Sequence, residues 1–283
     1  MATEISIRSS HMCFGGQVVF YSHKSTETQT KMNFSIFLPD KKVTTKIPGL
    51  IYLAGLTCTD DTFMIKSGVQ KYAAKHGLAL ICPDTSPRNA GIDGEDSDWD
   101  FGTGAGFYLD AEIEPWSKNY RMYSYITKEL IEIIDVEFNI NKNNLGIFGH
   151  SMGGHGALTI FLKNQDIFKS VSAFAPICNP MACPWGEKAF TNYLGENTDK
   201  WRSYDACHLV AQYPTSADIL VDQGLADSFL KEQLHPQKLQ EACKKAGVNL
   251  NLRQHEGYDH GYYFISTFMA DHIEHHANIL KKA

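Results

Sequence analysis

Nowhere in these 283 residues do eighteen apolar residues run together, so no membrane-spanning helix is expected. The opening MATEISIRSSHM has no apolar core of the length a secretory leader needs. A basic stripe is missing as well: the formal net charge is −6 with both signs interspersed, which argues against nucleic acid as a partner. The seven cysteines are an odd number and form no C-x-x-C pair. That speaks against a disulfide framework or zinc ribbon and for free thiols in a reducing, cytoplasmic compartment. No internal repeat, low-complexity tract or Pro/Ser-rich linker divides the chain, so residues 1–283 read as a single domain.

What the chain does have is alternation. QVVFYSH and KMNFSIFLP are β-branched and aromatic and lie close together, which predicts antiparallel strands at the start. After them come short apolar runs at 49–55, 78–84, 145–149, 170–176, 218–224 and 249–257, most of them suited to a sheet covered on both faces. Helical stretches are predicted at 62–76, 120–138, 152–164, 228–246 and 262–282, the first and fourth followed by a glycine (Gly77, Gly247) able to take a left-handed C-cap. Such alternation forces right-handed crossovers. The fold class is therefore α/β: a mostly parallel central sheet, antiparallel strands at the N-terminal edge, and helices on both faces. Two long stretches, 85–119 and 177–216, lack a clean period, and unstructured stretches of that length in a compact domain usually cover a site.

The segment LGIFGHSMGGHGA at 145–157 carries the chemistry. Gly149-His150-Ser151-Met152-Gly153 fits G-x-S-x-G between a predicted strand and a predicted helix, the context in which that motif presents a strained, exposed serine. Gly153, Gly154 and Gly156 would each cost about 1 kcal/mol in a helix interior, so close backbone approach is being enforced. A phosphate-binding or merely tight turn is the bland alternative. A dinucleotide site would want G-x-G-x-x-G and an acidic residue at the next strand end, which the chain does not supply.

A serine hydroxyl needs a base, and the base needs an orienting group. In a fold of this kind the order is serine, acid, histidine. DILVDQGLADSFL offers Asp222 and Asp227; Asp227 lies just past the strand end and is the candidate acid. HEGYDHGYYF offers His255 and His260; His260, in the loop before the last helix, is the candidate base. His150 and His155 flank the turn and are read as packing. The tetrahedral oxyanion would be held by the backbone N–H groups of Met152 and Leu56, the latter in AGLTCTDD after an early strand.

Taken together, these segments resemble the S-formylglutathione hydrolase (esterase D) family. The matching stretches include YLAGLTCTDDTF, GEDSDWDFGTGAGFYLDA, EPWSKNYRMYSYITKEL, IFGHSMGGHGAL, DQGLADSFL and GYDHGYYF, spread over nearly the whole chain. The resemblance implies an α/β-hydrolase fold and no cofactor. It implies hydrolysis of the thioester formed when formaldehyde is captured by glutathione and oxidised, a cytoplasmic location and often a homodimer. Carried over position by position, it assigns the triad to Ser151, Asp227 and His260. Two departures stand out: Gly261 where the family generally has serine, and Thr30 where it has cysteine. Gly261 bears on turnover more than on reaction type.

Within that resemblance Cys58 lies near the site, either as inert packing or as a thiol able to form a mixed disulfide with glutathione. The acidic residues Asp93, Glu95, Asp96, Asp98 and Asp100 are either a solvated loop or a place for the substrate ammonium, with Trp99 or Trp185 walling the acyl pocket. No metal is expected. His272 and His276 stand four apart in DHIEHHANIL, but the glutamate of the zinc-protease motif is missing and the pair is read as a solvated face. A broad carboxylesterase or acyltransferase on the same fold, and a binding protein built on a dead hydrolase, are the competing functions.

Overall fold

A computed structural model describes residues 4–39 and 45–282. Among the described residues, nine strands form one sheet: β1 (Ile5–Cys13), β2 (Gly16–Lys24), β3 (Lys31–Leu38), β4 (Ile47–Leu53), β5 (Ala79–Pro83), β6 (Ile140–His150), β7 (Phe168–Phe174), β8 (Ile219–Gly224) and β9 (Leu250–His255). Their spatial order is β1-β2-β3-β5-β4-β6-β7-β8-β9. The first three and β5 pair antiparallel, while β5, β4, β6, β7, β8 and β9 run parallel. The central runs are apolar because both faces are covered. Leu50, Ile51, Tyr52 and Leu53 of β4 are wholly buried, as are Ile147 and Phe148 of β6.

Alternation along β6 assigns a different helix to each face. Gly146 and Phe148 turn toward His276 of the C-terminal helix Tyr262–Leu280, and a Cβ on Gly149 would meet Gly153 in the helix Met152–Lys163. Gly77 and Gly247 both adopt left-handed backbone, with φ of 68° and 69°, and close their helices as expected.

Five features differ from what the sequence predicts. β1 was not anticipated: it is an edge strand with most side chains in solvent, so it lacks the alternation that marks a half-buried strand. The helix expected at 62–76 is two short ones, Thr62–Lys66 and Gln70–His76, with Gly68 at φ 66° between them. The helix expected at 228–246 breaks at His235, whose φ is 50°, and restarts at Pro236; proline has no N–H to continue a helix and suits a first turn. The stretch 177–216 contains the helices Pro184–Leu194 and Ala206–Gln212.

The fifth difference is the largest. His272 and His276 are not on a solvated face; both are wholly buried against the sheet. His276 takes Ser170 Oγ at Nδ1 (2.6 Å) and Ser172 Oγ at Nε2 (2.9 Å). His272 meets Ser172 Oγ at 2.8 Å and Asp222 Oδ2 at 3.2 Å. Asp222, also wholly buried, is held by Arg253 through two 2.6 Å hydrogen bonds. Its carboxyl is pulled well below the usual carboxylate range by His272 and Arg253, which overcome its burial.

Burial pushes both imidazoles down, well down for His276, where the neighbouring histidines add to the effect. Groups that are neutral when folded and protonated when unfolded lose stability as pH falls below the unfolded histidine value of about 6.5. His276, with no carboxylate beside it, contributes most directly to that loss. The urea midpoint is therefore expected to drop clearly between pH 7 and pH 5, and the drop is expected to shrink in His276→Gln. A midpoint flat over that range would contradict the neutral burial of these rings.

Candidate active site

β6 turns into the helix Met152–Lys163 within a single residue, and that residue is Ser151, at φ 58° and ψ −119°. Positive φ is strained for any residue with a Cβ, and it persists here because the surroundings leave no alternative. A Cβ on Gly153 would overlap the Leu53 carbonyl and lie 2.6 Å from that of Ala54; one on Gly149 would overlap Gly153 itself. The serine is pinned from both sides: its N–H donates to Phe174 O at 3.0 Å, and its C=O accepts from His155 N (3.0 Å) and Ile177 N (3.2 Å).

Asp227 and His260 meet at the ends of β8 and β9. Asp227 Oδ2 and His260 Nδ1 lie 2.5 Å apart. The carboxylate is fixed by two more donors, Phe229 N to Oδ1 (2.9 Å) and Gln223 Nε2 to Oδ2 (3.2 Å). The two loops are stitched together: Leu225 N donates to His255 O at 2.9 Å and Ala226 N to Tyr258 O at 2.9 Å. Gly224 is glycine because Tyr258 O crosses where its side chain would be. Asp222 stays with Arg253 on the far side of this arrangement and has no contact with His260.

Ser151 and His260 line one cleft of about 220 Å3. One wall is the segment Gly55–Cys58 after β4. Within it Thr57 N donates to Gly104 O (3.0 Å) and Cys58 N to Gly55 O (3.3 Å), whereas Leu56 N has no protein acceptor among the described residues. The same is true of Met152 N at the first turn of its helix, where an N–H has no intrahelical partner. The segment is braced from behind by Tyr108 Oη on Ala54 O (2.8 Å) and Thr85 Oγ1 on Cys58 O (2.6 Å).

The opposite wall is aromatic. Trp99 and Trp185 meet edge to face at 5.6 Å between ring centres, Trp185 packs on Phe229 at 4.8 Å, and Phe229 packs on His260 at 5.0 Å. Both tryptophans singled out in the sequence thus reach the cleft. Phe229 and Tyr262 also line it and were missed; each lies two residues from a candidate acid or base, Asp227 or His260, and that proximity was their only signal. Cys58 lines the cleft too, half-buried, and burial pushes its thiol up, with Lys66 opposing. A raised thiol carries less of the nucleophilic thiolate at neutral pH.

The two histidines of the elbow differ. His155 is packing, as expected: buried, its Nε2 on Phe107 O at 3.1 Å, its imidazole pushed down to about 4 by burial. His150 departs from that reading, since it lines the cleft with its ring centre 4.4 Å from that of His260. Burial, with His260 adding to it, holds it neutral. In the acidic stretch, Asp98 and Asp100 pair with Lys188 at 3.0 and 2.6 Å, and buried Glu95 accepts from the N–H groups of Ala90 and Gly91, both at 3.1 Å. None of these five carboxylates lines the cleft. Gly261 is the N-cap of the last helix at φ −88°, a conformation open to any residue, and its N–H donates to Asp259 Oδ1 at 2.9 Å.

Comparison with known proteins follows the same lines. A family model described as putative esterase matches residues 25–275. The S-formylglutathione hydrolase of Bos taurus is 53% identical over 274 residues, which cover 96% of this chain and 97% of that one. The chain belongs to the S-formylglutathione hydrolase family. The Arabidopsis thaliana member is 52% identical over 284 residues, 99% of this chain and 100% of that one. A solved structure of the Agrobacterium tumefaciens S-formylglutathione hydrolase superposes with a TM-score of 0.94 at 48% identity, covering 97% of this chain and 99% of the other. As for the expected absence of a membrane span, no helix among the described residues is long and apolar enough to cross a membrane.

For this member of the family, the steric lock at the elbow makes a firm prediction. Gly153→Ala pushes a methyl group into two backbone carbonyls that cannot rotate away, and overpacking of that kind costs about 1–3 kcal/mol or more. The expected result is a lower urea midpoint together with loss of most esterase activity. A variant with wild-type stability and rate would show that Gly153 is not needed for close approach.

Proposed function

We propose that Ser151 is the nucleophile of a thioester hydrolase that converts S-formylglutathione to formate and glutathione, with His260 as base and Asp227 as its orienting acid. The observation that carries this reading is the 2.5 Å contact between Asp227 and His260, whose ring lines the same small cleft as the strained Ser151. A hydrogen bond at Nδ1 leaves the other ring nitrogen to accept the serine proton, which is the division of labour a serine hydrolase needs.

The sequence of events is acyl transfer in two steps. Ser151 Oγ attacks the thioester carbonyl as His260 Nε2 takes its proton, and the N–H groups of Leu56 and Met152 receive the oxyanion. Losing one such donor costs about 3 kcal/mol of transition-state stabilisation. Collapse of the intermediate breaks the C–S bond; the proton on His260 passes to the departing sulfur and leaves a formyl ester on Ser151. Water enters, gives its proton to His260, and releases formate while Oγ recovers the proton. Asp227 stays ionised throughout and stabilises the imidazolium that forms. The seven free thiols, four of them buried, fit a reducing, cytoplasmic setting.

A cleft of about 220 Å3 walled by two tryptophans suits a small acyl group, and it favours formyl over larger acyl chains. Simple aryl acetates share the carbonyl chemistry and are expected as slower substrates. The test compares kcat/KM for S-formylglutathione, an aryl acetate and S-lactoylglutathione. The expected preference for the formyl thioester exceeds about tenfold, or roughly 1.4 kcal/mol. Ser151→Ala is expected to lower all three by about 10^4-fold or more. A preference below tenfold would instead make the chain a broad carboxylesterase, and a Ser151→Ala enzyme with substantial turnover would remove the nucleophile assignment.

A further inference from the structure

Behind the segment that carries Leu56 lies a larger cavity, of about 590 Å3, which shares no lining residue with the cleft. Its walls hold four cations, Arg8, Lys31, Arg88 and Lys118, and among the described residues no carboxylate lines it. In a chain with 32 acidic against 26 basic residues, four cations converge on one cavity; carboxylates outside the lining pair with the two arginines, and the two lysines have none among the described residues.

The two arginines are only partly satisfied. Arg88 brackets Asp84 through Nε and Nη2, both at 2.9 Å. Arg8 donates Nε to Tyr21 O at 3.1 Å and Nη2 to the carboxylate of Asp60. The Nη1 group of each has no protein acceptor among the described residues, nor do the ammonium groups of Lys31 and Lys118. Asn33, which also lines the cavity, keeps its buried Oδ1 without a partner, and an amide can turn to offer its N–H instead. The cavity thus gathers several unsatisfied cationic donors with no carboxylate among its described lining residues, and its volume lies in the range of small-ligand sites.

We infer that this cavity is an anion site for a small molecule with two or more negative groups, phosphate or carboxylate, held between Arg8 and Arg88 with Lys31 and Lys118 at its rim. A guanidinium fork matches either group bidentately, and two forks plus two ammonium groups favour a polyanion over a single halide ion.

The site is wired to the catalytic segment. Arg88 Nη2 donates to Cys58 O at 3.1 Å, and Arg8 holds Asp60, two residues further on. Burial pushes the Asp60 carboxyl up to about 7, while Arg8 pulls it down. An anion that competes for Arg8 and Arg88 slackens both tethers on the segment that carries Leu56, and hydrolysis slows. This second arm rests on the role proposed for Leu56; occupancy of the cavity does not.

Calorimetric titration with inorganic pyrophosphate, and separately with citrate, at constant ionic strength tests the site on wild type and on the double variant Lys31→Gln/Lys118→Gln. Both lysines are exposed and outside the cleft, so basal hydrolysis by the variant should be unchanged. Saturable one-site binding with Kd below about 1 mM is expected, weakened about tenfold or more in the variant. Tighter pyrophosphate assigns the natural ligand to phosphate chemistry, tighter citrate to carboxylate chemistry. No saturable binding of either, or equal affinity in the variant, overturns the site. Hydrolysis should fall with the same midpoint as binding; full occupancy with unchanged rate would overturn the coupling. Calorimetry reads the cavity whether or not Ser151 is the nucleophile, so the two readings fail separately.

Discussion

The rest of the site depends on one steric fact: at Gly153 the first turn of a helix lies so close to the carbonyls of Leu53 and Ala54 that no side chain fits between them. Contact at that distance lets β6 reverse into a helix at Ser151 and drives the serine into positive φ. It also sets the spacing between the two segments that offer free amides, since Leu53 and Ala54 lead directly into Leu56, while Met152 adjoins Ser151. The proposed nucleophile and the proposed oxyanion donors are therefore positioned by the same backbone crossing. The strain at Ser151 is held by packing across β4, β6 and the helix that follows.

The proposed base is positioned by a different device, the parallel pairing of β8 with β9. Their register sets Gly224 opposite His255, so the loops bearing Asp227 and His260 leave the sheet side by side. Beneath them, Asp222, Arg253, His272, His276 and two serines of β7 tie β7, β8, β9 and the last helix into a buried polar network. That network contains a serine, a histidine and an aspartate in hydrogen-bonded order, yet it is buried away from the cleft. Burial and access decide which of two similar constellations can meet a substrate.

The sequence made legible what depends on neighbours along the chain. Short apolar runs gave the parallel sheet, glycine spacing gave the elbow, and position past a strand end separated Asp227 from Asp222 and His260 from His255. What it hid depends on partners far away in the chain. His272 and His276 looked like surface residues because Ser170, Ser172 and Asp222 lie some fifty to a hundred residues earlier. His150 looked like packing because nothing local reveals that the His260 ring comes to rest against it. β1 gave no period because an edge strand with both faces largely wet has none, whereas the break before Pro236 is marked by the proline itself.

The central claim is that Ser151 reacts because His260, oriented by Asp227, takes its proton. An organophosphate that esterifies activated serines, followed by peptide mass mapping, measures this directly. The account predicts one adduct per chain, on Ser151, formed rapidly in wild type and slowed by about 10^3-fold or more in folded His260→Ala. Labelling at another serine, or equal labelling rates with and without His260, would contradict it.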